Sequence, residues 1–149
     1  MRLVAEGYSQ VEGIDFHEIF SRVVKIVFIH NVLALTALLD LELEQLDVKT
    51  TFIHGDLYEE IYMDQTEAFV QGRSRRLVFK LTESLYGLRQ SPRQWYKKFN
   101  SFMVSHNFII NEYDHSIYFK SFNGIFITLV LYVDDMLIAS KIIFVVFVW

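Results

Sequence analysis

The sequence predicts an α+β fold, with helices laid against one face of an antiparallel sheet. Two features carry that prediction. Apolar residues recur at helical spacing in two separate stretches, and two strongly apolar hairpins follow each other near the C-terminal end. The first helix is expected over Val27 to Asp40, where Phe28, Val32, Leu35 and Leu39 recur without an interrupting glycine or proline. Leu41 to Val48 then reads as a strand, because Leu41 and Leu43 alternate with Glu42 and Glu44. Thr50 to Leu57 reads as a turn or short helix around Gly55. The second helix starts at Ser91-Pro92-Arg93-Gln94, which has the composition of a capping box with proline at the first position. Trp95, Phe99, Phe102 and Met103 supply its apolar face, and it ends near His106-Asn107. Ile117 to Phe122 and Ile125 to Val130 flank Asn123-Gly124, the pair that a type I′ hairpin turn requires. Leu129 to Tyr132 and Met136 to Ala139 flank Val133-Asp134-Asp135 and form the second hairpin.

Composition narrows the function classes. The chain has 149 residues, 52% hydrophobic and 21% charged, which suits one domain with a real core and argues against disorder. Cysteine is absent, so disulfide frameworks, thiolate zinc sites and cysteine nucleophiles are excluded, as fits an intracellular protein. A net charge of −4 argues against a simple basic nucleic-acid coat. The start, Met1 to Glu6, is too short and mixed for a signal peptide, and no apolar run reaches the ~18–20 residues of a spanning helix. Charge is uneven, however. From Arg73 to Lys98 eight basic residues stand against the single acid Glu83, a candidate phosphate-contacting face or a merely solvated helix surface. The histidines (His17, His30, His54, His106, His115) have no metal-ligand spacing.

Asp134-Asp135 is the unusual feature. Two adjacent carboxylates between buried strands repel each other unless a cation compensates, and a hard divalent metal prefers such oxygens. The same pair is also ordinary turn chemistry. Asp47 closes an alternating strand, and if that strand lies beside the second hairpin, three carboxylates converge. Three such groups can hold two metal ions for nucleotidyl transfer. Asp47 could equally cap the following segment.

At these residues the sequence resembles the reverse transcriptases of copia-type LTR retrotransposons. Tyr132-Val133-Asp134-Asp135 resembles their YVDD box. Gln45-Leu46-Asp47-Val48-Lys49 with Phe52 to Leu57, Arg2 to Tyr8, Gly13 to Lys25, Leu85 to Tyr96, and Asp114-His115-Ser116 are similar to further segments of that family, in its order. The resemblance implies a right-hand polymerase palm with partial fingers and no thumb over residues 1–141, with 142–149 an unmatched apolar tail. It implies RNA-directed DNA synthesis by a piece of a Pol polyprotein, adding dNTPs to a primer 3′-hydroxyl on an RNA template. Asp47, Asp134 and Asp135 would bind two Mg²⁺ ions, with Mn²⁺ as an alternative. Phe52 would lie beneath the incoming sugar, against the bland reading of core packing. Tyr86 and Gly87 would lie against nucleotide and template, Arg89 near phosphate, and Tyr132 and Val133 at the primer terminus. Lys49 stays outside the site. By the same resemblance the chain works inside the cell, in a cytoplasmic particle, with the remainder of the polyprotein as partner and no membrane.

Departures from the family pattern are Glu6 for lysine, Arg22 for proline, Thr50-Thr51 for Asn-Ala, and Thr66 to Phe69 for a proline-containing run. None removes a carboxylate. The alternative reading is a catalytically dead transposon remnant or a non-enzymatic binding module. A two-carboxylate hydrolase, active without metal, ranks third.

Overall fold

The computed structural model describes residues 3–53, 55–65 and 77–143. In chain order its elements are α1 (Ile26–Leu38), β1 (Glu42–Asp47), β2 (Asp56–Asp64), β3 (Val78–Glu83), α2 (Ser91–Ser105), β4 (Ile109–Ile110), β5 (Ile117–Phe122), β6 (Ile125–Tyr132) and β7 (Asp135–Ser140). The mixture of helices with antiparallel sheets is the α+β class that the sequence predicts. Thr66 to Phe69, Arg73, Arg75, Arg76, His54 and residues 144–149 lie outside the described residues. Among the described residues, no helix is long and apolar enough to cross a membrane.

The chain divides into two compact units, one formed by Met1–Phe20 with Thr50–Lys98, the other by Ser21–Lys49 with Phe99–Trp149. The second unit is built on a five-stranded antiparallel sheet ordered β1-β7-β6-β5-β4. Its central strands are the two expected hairpins. Asn123 and Gly124 have φ of 50° and 79°, the left-handed pair of a type I′ turn. The second hairpin has a tighter tip than expected: Tyr132 pairs with Asp135, so the turn is Val133-Asp134 and Asp135 already belongs to β7.

The helix placement corrects the sequence reading in two ways. First, α1 meets the sheet through Phe28, Ile29, Val32 and Thr36, while Leu35 and Leu39 are 51% and 54% exposed. Because α1 is apolar nearly all round, the spacing of its leucines could not decide its phase. Thr36 is tolerated inside because its Oγ1 donates to Val32 O at 2.8 Å. Second, helices meet both faces of the sheet, not one. Ile117, Val130 and Ala139 pack with Val32 of α1. Tyr118, the next residue along β5, turns to the opposite face, as strand alternation demands. There it packs edge-on to Phe99 of α2, ring centroids 5.6 Å apart, and donates its hydroxyl to Asn100 Oδ1 at 3.1 Å. Lys120 lies on the same face as Tyr118, 5.2 Å from the Phe108 ring centre, and burial pushes its amine below the ordinary lysine range.

Two strands of the first unit, β2 and β3, pair as an antiparallel ribbon where the sequence reading placed no strand. Leu57, Glu59, Ile61 and Met63 turn inward while Tyr58, Glu60 and Tyr62 are exposed, a period of two that adjacent acidic residues obscure. The Ser91 hydroxyl, expected to cap α2, instead donates to Leu85 O at 2.6 Å and pairs with Ser84 Oγ at 2.5 Å. It fastens the preceding loop to the helix start.

A buried carboxylate ties the α1 lead-in to the sheet. Asp114 accepts the Lys25 N–H through Oδ2 at 2.8 Å and the Ser116 N–H through Oδ1 at 3.1 Å. Asp114→Ala strands both donors and should lower unfolding free energy by about 2–4 kcal/mol in urea denaturation. Asp114→Asn, which keeps one oxygen acceptor, should lose less.

Candidate active site

The β1–β7 pairing brings the predicted carboxylates to one end of the second unit's sheet. Asp47 lies directly opposite Asp135, so the two side chains share a face. Asp134 adjoins them in the turn, and its carbonyl accepts the Val48 N–H at 3.1 Å. The Gln45 amide donates Nε2–H to Asp135 Oδ1 over 3.4 Å. Asp47 is exposed, and Asp134 and Asp135 are half-buried. Among the described residues none of these three carboxylates forms an ion pair. Carboxylate oxygens are donors of the kind that a hard divalent cation prefers. The side chains are nevertheless not drawn into a cage: among the described residues, no three acidic or histidine groups gather closely enough to hold a metal.

The turn carrying this end is strained. Val133 has φ of 59°, a region that β-branched residues seldom occupy. Tyr132 is exposed and Val133 half-buried. Positive φ at the first of two central residues is the mark of a type II′ turn, which normally takes glycine there.

Four further predicted residues meet in the first unit. Phe52 and Tyr86 pack edge to face, with centroids 5.0 Å apart and planes at 67°. The Tyr86 carbonyl accepts the Ala5 N–H at 2.7 Å. Gly87, with φ of 95°, lets the backbone of residues 4–7 come within touching distance: a Cβ there would lie 1.9 Å from Ala5 O. Arg89 is turned onto the same segment. Its Nε donates to Gly7 O at 2.8 Å, and its guanidinium stands 5.4 Å from the centre of the Phe16 ring. Thus Phe52, Tyr86, Gly87 and Arg89 belong to one unit, and Asp47, Tyr132, Val133, Asp134 and Asp135 to the other.

Sequence reasoning missed the glutamines that fix this loop. Gln90 is fully buried, accepting from Gln10 Nε2 at 3.1 Å and donating to Asp15 O at 2.9 Å. Gln10 Oε1 also accepts the Arg89 N–H at 2.8 Å. Nothing in local periodicity flags a glutamine as buried, since only its distant partners make burial tolerable.

The basic stretch proves partly neutralised. Lys80 pairs with Glu60 at 2.5 Å, Lys98 with Asp56 at 3.0 Å, and Arg93 with Glu18. The neighbouring ammonium of Lys80 holds the Glu60 carboxyl below its usual range, and Glu60 raises the Lys80 amine in turn. Lys97 sits 6.0 Å from the Tyr58 ring centre. Among the described residues, these contacts make Lys80 to Lys98 a mixed-charge surface more than a bare phosphate track.

The chain matches the family model described as reverse transcriptase (RNA-dependent DNA polymerase) over residues 1–146. It is 57% identical over 141 residues to a retrovirus-related Pol polyprotein from transposon TNT 1-94 of Nicotiana tabacum, covering 94% of this chain and 11% of that one. It is 36% identical over 140 residues to the corresponding polyprotein from transposon RE1 of Arabidopsis thaliana, covering 94% and 10%. A transposon Ty1-NL2 Gag-Pol polyprotein of Saccharomyces cerevisiae is 32% identical over 97 residues, covering 65% and 5%. The chain therefore spans about a tenth of the length of the plant relatives. No solved structure gives a significant match.

Gly87→Ala must both strain φ and push a methyl into Ala5 O, so it should destabilise by more than about 3 kcal/mol. Gly124→Ala, at a φ of 79° with open space around it, meets only the strain, about 1–2 kcal/mol. Denaturation midpoints of the two variants, side by side, test the difference.

Proposed function

Because this chain belongs to the reverse transcriptase (RNA-dependent DNA polymerase) family, we propose that it is the part of a copia-type retrotransposon Pol polyprotein that carries palm and partial fingers over residues 1–141. The proposed activity is extension of a DNA primer with dNTPs on an RNA template. The observation that carries it is the register setting Asp47 opposite Asp135, with Asp134 in the adjoining turn. These residues would hold the divalent metal, Mg²⁺ or Mn²⁺. When bound, such ions supply a lowered pKa for an attacking hydroxyl and neutralise charge on the phosphates.

The remaining roles fall to the chain's own side chains. Phe52, braced edge-on by Tyr86, presents a ring against which the sugar of the incoming nucleotide rests. A 2′-hydroxyl would collide with that ring, so the site prefers deoxynucleotides. Tyr86 and Gly87 lie against nucleotide and template. Arg89, its Nε held by Gly7, brings its terminal N–H groups to phosphate. Tyr132 and Val133 border the primer terminus, where a turn locked by backbone geometry keeps the two aspartates from drifting. The other parts of the Pol polyprotein are the natural partners of this piece.

A second reading has a specific observation in its favour. The three carboxylates are not gathered into a cage, which suits a chain that binds nucleic acid without catalysing, or a dead remnant.

Primer extension on an RNA template separates the readings. Wild-type chain should extend the primer in Mg²⁺, and Asp134→Asn should lower the rate about 100-fold or more, the scale of a lost metal contact. Absence of extension from folded wild-type chain would select the non-catalytic reading. In an active chain, Phe52→Val should raise incorporation of ribonucleotides relative to deoxynucleotides, measured as the ratio of kcat/KM values.

A further inference from the structure

We infer that the outer face of α1 is a self-association surface, on which a second copy of this chain packs its own α1 in antiparallel orientation. The inference does not depend on the proposed polymerase activity. It starts from what α1 leaves uncovered. Phe28, Ile29, Val32 and Thr36 take the side toward the sheet. The opposite stripe, at helical spacing, is Val27, His30, Ala34 and Leu38, with Ile26, Leu33 and Ala37 beside it. All seven are exposed, Ile26 by 67%, Val27 by 61% and Leu38 by 78%. A solvated helix ordinarily carries its charges on this side, yet α1 contains no aspartate, glutamate, lysine or arginine. The face offers about 500 Å² of apolar surface, toward the upper size of a patch left open on a typical monomer. That is also roughly the apolar share of the ~800 Å² that each partner buries in a standard interface.

The order of residues along the helix selects a second copy as the occupant. Two antiparallel copies of α1, related by a two-fold axis near Val32 and Leu33, set Val27 of one against Leu38 of the other. His30 of one then lies beside Ala34 of the other. Bulky side chains close both ends, and the small Ala34 leaves room for an imidazole ring. The same register sets Lys25, the N-cap, across from Asp40, just beyond the C-terminal end. Both are exposed, and neither forms an ion pair among the described residues. Charge therefore favours the antiparallel pair, whereas a parallel one would bring Lys25 to Lys25 and Asp40 to Asp40. The antiparallel arrangement also places the positive end of each helix dipole by the negative end of the other. Two-fold symmetry makes every contact twice and closes the interface, leaving no face for a third copy.

Sedimentation velocity of the whole chain over a micromolar concentration series tests the assignment. Wild-type chain should pass from monomer to dimer and no further. Leu38→Lys puts an unpaired charge into the interface twice and should weaken dimerisation about 100-fold or more. Leu38 is exposed in the single chain, so the variant's thermal midpoint should stay unchanged at concentrations where wild type is monomeric. Lys25→Glu and Asp40→Lys, each alone, set like charges opposite at both ends and should weaken dimerisation about 10-fold. Mixed together, these two variants regain opposite charges at both ends and should form a heterodimer of near wild-type affinity. Wild-type chain that stays monomeric throughout would overturn the proposal and leave the face to another part of the polyprotein. Dimers indifferent to Leu38→Lys would overturn it as well, locating association elsewhere, as in residues 144–149. So would assemblies that keep growing beyond the dimer. Failure of the mixed variants to recover, beside loss in Leu38→Lys, would overturn the antiparallel pairing that defines the interface.

Discussion

The antiparallel pairing of β1 with β7 is the constraint on which the candidate chemistry depends. Side chains alternate across a strand, so a slip of one residue would send Asp47 and Gln45 to the face occupied by Leu46. Several contacts oppose such a slip. Leu137 and Ala139 must face α1, where Val32, Ile117 and Val130 enclose them. The Val48 N–H is fixed to the Asp134 carbonyl, and Glu42 accepts the Ile143 N–H at 2.9 Å. The apolar packing at one end of the strand pair therefore sets the position of the carboxylates at the other. Val133 adds a local device. Its left-handed backbone stores strain at the tip, which persists because the flanking ladder over-determines the turn.

The first unit solves a different problem with a similar economy. A loop must hold Tyr86 and Arg89 in place without a strand beneath it. It does so by bringing two backbone segments so close that neither can carry a side chain: a Cβ on Gly7 would lie 1.9 Å from Gly87 O, just as one on Gly87 would meet Ala5 O. Gln10 and Gln90 then satisfy backbone groups on both sides. Buried amides are demanding, since each lost partner leaves a desolvated group behind. Here the demand produces order in a stretch of irregular chain.

The sequence was legible wherever local rules decide. Asn123-Gly124 specified its turn, Ser91 to Ser105 its helix, and the Leu41-to-Val48 alternation its strand within a residue or two. The rest depends on partners distant in the chain. The phase of α1 was hidden because nearly every position is apolar, and only the sheet selects which side is buried. The strand β2 was hidden by Glu59 and Glu60, whose charges mask the inward Leu57 and Ile61. Of the candidate site, the motifs identified the residue types, and the register set Asp47 against Asp135. The loop-fixing roles of Gln10, Gln90 and Gly7 were invisible, because each is defined by a contact some 75 to 82 residues away.

The interleaving of the two units carries a consequence for how the chain comes to be folded. Each unit is assembled from two separated stretches, and each begins before the other is finished. During synthesis residues 1–20 must wait for the loop near residue 87, and β1 must wait for β7, which emerges about 90 residues later. Neither unit can therefore close on a growing chain as a contiguous module. Pairings of such sequence separation are slow to find, since loop entropy is lost before contacts return it. In the interval, β1 and the largely apolar α1 are available to any competing strand or surface, so a nascent chain of this kind depends more on protection from wrong partners than a protein whose domains follow one another in sequence.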